Sequence, residues 1–131
     1  MRRTLLVTND FPPVVGGIQS YLDDYTRRLP ADDLTVLAST PPEGPGAAAD
    51  HDAALAFDVV RMPTRMLLPT PDVRARMQRI IRERAIETVW FGAAAPLGLL
   101  GRAARAAGAS RVIVSTHGHE VGWSMIPGAR L

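Results

Sequence analysis

The feature that most constrains this chain is a regular alternation of short apolar runs with stretches long enough for a helix. The runs are Arg3 to Thr8, Leu34 to Ala38, Phe57 to Met62, Thr88 to Phe91 and Arg111 to Ser115. Their length and branched residues suit buried strands. After the first run, Gly16-Gly17 opens a stretch in which Ile18, Tyr21, Leu22, Tyr25 and Leu29 recur at helical spacing, and Pro30 stops it. A second helix is expected over Pro71 to Arg84, with proline in its first turn and Asp72 set against the dipole. A third is expected over Ala94 to Ala107, alanine-rich and closed by Gly108. Thr40 to Ala54 is rich in Pro, Gly and Ala with few large apolar residues, and is expected to be a mobile loop. Strands joined through helices imply right-handed crossovers. The expectation is an α/β fold, a Rossmann-like parallel sheet flanked by helices, in the order 3-2-1-4-5. At 131 residues the chain has room for one such domain.

In a sheet of this kind ligands sit beyond the carboxyl ends of the strands. The places to look are therefore Asn9-Asp10, Gly92-Ala93 and Thr116 to Glu120. After the first strand the sequence runs NDFPPVVGGIQSYL, from Asn9 to Leu22. Gly16 and Gly17 lack a Cβ, so a ligand can approach their backbone, and free N–H groups at a helix start favour a phosphate or diphosphate. Taken alone, a glycine pair is better read as a turn that packs the helix on the sheet. Two other phosphate sites are excluded. The dinucleotide fingerprint G-x-G-x-x-G does not follow the strand. The P-loop needs a lysine, and all fifteen basic residues here are arginine. There is no cysteine, which excludes disulfides and thiolate metal sites. No secretory signal and no stretch of membrane-spanning length is present.

After the fifth strand the sequence reads STHGHEVGW. His117, close past the strand end, is placed to hydrogen-bond a substrate oxygen. His119 and Glu120 form a secondary candidate pair. For His119, a backbone-bonded structural histidine and a functional one stand as equals. H-x-H-E could open a zinc site, but no further ligand cluster accompanies it, and no metal is expected. On the helix from Pro71 to Arg84, Val73, Met77, Ile80 and Ile81 form one apolar stripe. Arg74, Arg76, Arg79 and Arg82 fall opposite it, with Glu83 for company. Such a face is first of all a solvated one, and it is also the pattern that draws anionic lipid.

The two motifs together resemble glycosyltransferase family 4, with its GT-B fold of two Rossmann-like halves. The likeness runs the length of the chain and is most similar to the members that use GDP-mannose and phosphatidylinositol-mannoside acceptors. It implies a retaining transfer of mannose from GDP-mannose to a lipid acceptor of that type, with no metal and no cofactor. By the resemblance Gly16 and Gly17 contact the donor diphosphate, His117 sits against the transferred sugar, and Asp10 and Gln19 face the acceptor. The implied partners are a nucleotide-sugar donor, a lipid-linked or small-molecule acceptor and an anionic membrane surface, with no nucleic acid. The implied location is cytoplasmic, peripheral on the inner face of the plasma membrane, with the arginine face as the dock. The family's donor-binding C-terminal half is absent from these residues, so residues 1–131 are expected to be a truncated acceptor-side domain, inactive alone. The competing expectation is a stand-alone, non-catalytic Rossmann-like module that binds a phosphorylated or sugar ligand.

Overall fold

The computed structural model describes residues 3–13, 17–92 and 96–115. Five parallel strands form one sheet in the order β3-β2-β1-β4-β5. They are β1 (Thr4–Thr8), β2 (Leu34–Ala38), β3 (Asp58–Arg61), β4 (Thr88–Phe91) and β5 (Arg111–Val114). β1 lies at the centre, with Leu6 in register with Val36 of β2 and with Trp90 of β4. Every residue of β1, β2 and β4 is buried, which is why those runs read as continuous rather than alternating. Alternate side chains serve opposite faces. Leu5, Val7, Val89 and Phe91 join Met77, Ile80 and Ile81 on one side. Leu6, Val36 and Trp90 join Phe11, Leu22 and Phe57 on the other.

The helices are α1 (Gly17–Arg27), α2 (Pro45–Ala53), α3 (Pro71–Glu83) and α4 (Gly101–Ala106). α3 matches its expected course. Thr70 caps it by accepting the Val73 N–H, and Val73, Met77, Ile80 and Ile81 are the buried residues. Three expectations need correction. The supposed mobile loop at 40–54 contains α2, started by Gly44 at φ 97° and by Pro45 in the first turn. It lacks an apolar stripe because only Ala48 is buried, so no periodicity marked it. The third expected helix is split. Leu97–Leu100 is a 3-10 turn and only Gly101–Ala106 is α-helical, as Pro96, Gly98 and Gly101 disfavour a continuous α-helix. On α1, Tyr21 and Tyr25 are 48% and 46% exposed rather than core, while Leu22 is fully buried. They border an open groove of about 440 Å³ with Trp90 and Ile113.

Candidate site at the carboxyl end of the sheet

The loop that leaves β1 is built from its own chemistry. Thr8 is buried and its Oγ1 accepts the Asp10 N–H at 2.9 Å, which turns the chain out of the strand. Asn9 is a bracket rather than a ligand-facing group. Its Nδ2 donates to the Leu67 carbonyl at 2.9 Å and its Oδ1 accepts the Leu67 N–H, so the amide stands in for a strand partner. That pins the β3–α3 loop to the end of β1 and sinks Leu67 fully into the core. Thr40 holds the other side of the same loop, with its N–H on the Thr64 carbonyl and its Oγ1 on the Met62 carbonyl.

Pro12 and Pro13 have no N–H, so this stretch cannot pair with itself, and its carbonyls need donors from elsewhere. Arg61, at the end of β3, supplies one: Nη2 donates to the Pro12 carbonyl at 2.6 Å. The same guanidinium binds both oxygens of Asp52 on α2, at 3.0 and 2.9 Å, and the Ser39 carbonyl at 2.8 Å. Its carbon lies 5.6 Å from the centre of the buried Phe11 ring. His51 completes the cluster, with Nδ1 3.1 Å from Asp52 Oδ1 and its ring edge-on to Phe11 at 5.8 Å. Among the described residues no buried side-chain nitrogen or oxygen lacks a hydrogen-bond partner.

Of the residues singled out from sequence, Asp10, Gly17 and Gln19 are described. The topology puts the loop with Asp10 and the start of α1, with Gly17 and Gln19, at the same carboxyl edge. Gly17 is exposed, and among the described residues a Cβ built there meets nothing within 4 Å. Its φ lies outside the left-handed range, so neither packing nor backbone strain requires glycine at this position. The first turn of α1 carries no acidic side chain to compete for its N–H groups. Gly92, at the end of β4, is the contrasting case. A Cβ there would lie 2.8 Å from Thr8 Oγ1 and 3.2 Å from Leu22 Cδ1, so this glycine serves the packing of α1 on the sheet. Gly16, His117, His119 and Glu120 lie outside the described residues. Ser115 binds back to β4 through its N–H on the Phe91 carbonyl, and its Oγ accepts Trp90 Nε1–H at 2.6 Å.

Arg74, Arg76, Arg79 and Arg82 are all exposed on α3. Arg79 donates to Glu83 at 2.8 Å. That hydrogen bond, with the charge behind it, holds the Glu83 carboxyl below the usual carboxylate range. Arg76 and Arg79 also line a groove with Arg61, Met62, Pro63 and Asp72 at the end of β3. Sequence reasoning passed over Phe11, His51, Asp52 and Arg61. Local spacing offered no signal for them, because Arg61 lies 49 residues from the Pro12 carbonyl it binds. Sequence reasoning also passed over Met66 and Leu68, which are 59% and 44% exposed on the loop before α3. Among the described residues no group of three His, Cys, Asp or Glu could hold a metal ion.

Over 98% of its length the chain is 54% identical to the GDP-mannose-dependent monoacylated alpha-(1-6)-phosphatidylinositol monomannoside mannosyltransferase of Corynebacterium glutamicum, covering 33% of that protein. It is 58% identical, over 99% of its length, to the GDP-mannose-dependent alpha-(1-6)-phosphatidylinositol monomannoside mannosyltransferase of Mycobacterium tuberculosis, covering 34% of it. The corresponding enzyme of Mycolicibacterium smegmatis is 59% identical over 96% of the chain and 33% of the enzyme. The chain thus spans about a third of the length of these relatives. The glycosyl transferase 4-like family profile matches residues 21–127, from the first helix through the histidine motif. With that match over most of its length, and with the parallel sheet in place, the chain belongs to the glycosyl transferase 4-like family.

Proposed function

We propose that this chain forms the acceptor-side part of a retaining glycosyltransferase that moves mannose from GDP-mannose to a phosphatidylinositol-mannoside-type lipid. The observation that carries the proposal is the 54–59% identity to three such mannosyltransferases across nearly the whole chain. In this reading Gly16 and Gly17 receive the donor diphosphate, whose charge suits the free N–H groups at the start of α1. His117 supports the transferred sugar, and Asp10 and Gln19 hold the acceptor head group. His119 and Glu120 are secondary candidates in this reading. The leaving diphosphate needs further positive groups, which this reading assigns to a donor-binding part outside residues 1–131.

The acceptor is a lipid, and the surface beside the site suits one. Met66 and Leu68 stand exposed on the loop that Asn9 pins down, which leads into α3 with its four exposed arginines. Apolar tips flanked by arginines suit docking on an anionic bilayer. In this reading the enzyme works as a peripheral protein on the inner face of the plasma membrane. No helix among the described residues is long and apolar enough to cross a membrane.

The test is mannose transfer from labelled GDP-mannose to vesicles that contain phosphatidylinositol mannoside, using the full-length protein that carries these residues. His117→Ala is expected to lower kcat by about 10²-fold or more, the scale of a polar group acting in the transition state. His119→Ala is expected to cost mainly stability. A bulky residue at Gly17 should fold normally, given the open space there, yet fail to use donor. The isolated 131-residue chain should show no transfer. Turnover by that chain would overturn the division of labour, and an inert full-length protein would overturn the assignment.

A further inference from the structure

The cluster around Arg61 is built more elaborately than cohesion requires. An ion pair this buried, with 12% exposure for the Arg61 side chain and 16% for Asp52, is often no more stable than apolar residues of the same volume. What an arginine adds is geometry: a planar fork that can bind several oxygens at fixed angles. Here the fork ties three separate segments: the loop after β1 through Pro12, the end of β2 through Ser39, and α2 through Asp52. His51 also approaches α1, with Nε2 4.0 Å from Asp23 Oδ1. Asp23 in turn binds Arg27 one helical turn on, at 3.0 Å. One cluster therefore contacts both the Phe11–Pro13 segment and the helix that Gly17 opens.

We propose that Arg61, Asp52 and His51 are positioning residues for the transfer: they fix the Asp10–Pro13 segment relative to the first turn of α1, so that acceptor and donor meet in register. This rests on the functional reading above. None of the three needs to touch substrate. Misplacement of a reacting group by about 1 Å can cost 10²-fold in rate, so a loosened clamp should register in catalysis before it registers in folding.

The experiment compares Arg61→Lys and Asp52→Asn with Arg84→Lys in the full-length protein. Arg84 supports the opposite end of the sheet, where it binds Asp58 and Thr35. Two quantities are read at a temperature where every variant is folded: hydrogen exchange at the Asp10 and Phe11 amides, and kcat/KM for GDP-mannose. Arg61→Lys keeps the charge and loses the fork, and Asp52→Asn keeps the shape and loses the charge. Each is expected to speed exchange at Asp10 and Phe11, to leave exchange in β1 and β4 unchanged, and to lower kcat/KM by about tenfold or more. Arg84→Lys should change neither quantity. Unchanged exchange in Arg61→Lys overturns the clamp itself. Faster exchange with unaltered kcat/KM overturns its role in the reaction. A merely structural role would lower activity equally in Arg61→Lys and in an Arg84 variant of matched melting temperature. If the unaltered protein transfers no mannose, the functional reading falls first, which is a separate and recognisable failure.

Discussion

The two ends of the sheet are held together by different means. At the amino end the main chain pairs with itself. The N–H groups of Glu87 and Thr88 both donate to the Arg3 carbonyl, and those of Ser110 and Arg111 to the Glu87 carbonyl. The side chains there, such as Arg84 on Asp58, are largely exposed. At the carboxyl end the loops are interrupted by prolines at 12, 13, 41, 42, 63 and 69, each lacking a donor. Side chains take over, with Asn9, Thr40 and Arg61 each binding a distant backbone group. The end that carries the proposed site is thus the end whose geometry is written in individual side chains. The other end is generic and should tolerate change.

Arg61→Met tests that contrast most severely. It leaves the part-buried Asp52 carboxylate without its cation and strips donors from two carbonyls. Removing one member of a buried pair costs about 3–5 kcal/mol. Arg84→Met removes an exposed pair, for which about 0–1 kcal/mol is expected. Urea unfolding of the two variants measures the difference directly. Equal losses would mean that the two ends are not built differently.

The two described glycines nearest the site split the same way. Gly92→Ala forces a methyl against Thr8, which carries the turn to Asp10, and overpacking of this kind costs about 1–3 kcal/mol. Gly17→Ala meets open space and should leave the melting temperature unchanged or slightly raised. A comparable loss in both would show that Gly17 is a packing glycine after all. Asn9→Ala comes next. It frees both backbone groups of Leu67, and because the site is only part-buried, about 1–2 kcal/mol is expected. Amide exchange at Leu67 should rise with it.

The strand order and the apolar stripe of α3 were legible because a buried parallel strand and an amphipathic helix leave strong periodic signals. α2 was not, because a helix that packs through one alanine and a polar last turn has no stripe to detect. Gly17 and Asp10 stood out in the sequence because glycines and carboxylates at strand ends contrast with an apolar background, and their roles belong to the proposal. The scaffold around them did not stand out. Asn9 looked chemical and proved to be a bracket, and the His51–Asp52–Arg61 cluster unites residues from two segments that read separately as a loop and a strand. Nothing in local spacing announces a contact made only when β2 and β3 pair.

Glu83 offers the smallest effect and closes the contrast from the amino side. It sits in the last turn of α3, where the helix dipole disfavours a carboxylate, and its pair with Arg79 is fully exposed. Arg79 holds the Glu83 carboxyl below its ordinary range, first by the hydrogen bond and then by charge. A depressed carboxyl stabilises the fold above the ordinary carboxylate range, and that contribution is lost as pH falls through the lowered value. Glu83→Gln should therefore leave the melting temperature at neutral pH unchanged within scatter and alter only the acid limb of a stability–pH profile. Its larger consequence is on the surface, because it releases Arg79 and makes the α3 face more positive by one charge. If that face docks on lipid, binding to vesicles containing anionic lipid should tighten by roughly fivefold, the effect of about one added charge near such a surface. The gain should vanish at high salt. Vesicle co-sedimentation at two salt concentrations is the measurement, and unchanged binding at low salt would leave the arginine face as an ordinary solvated one.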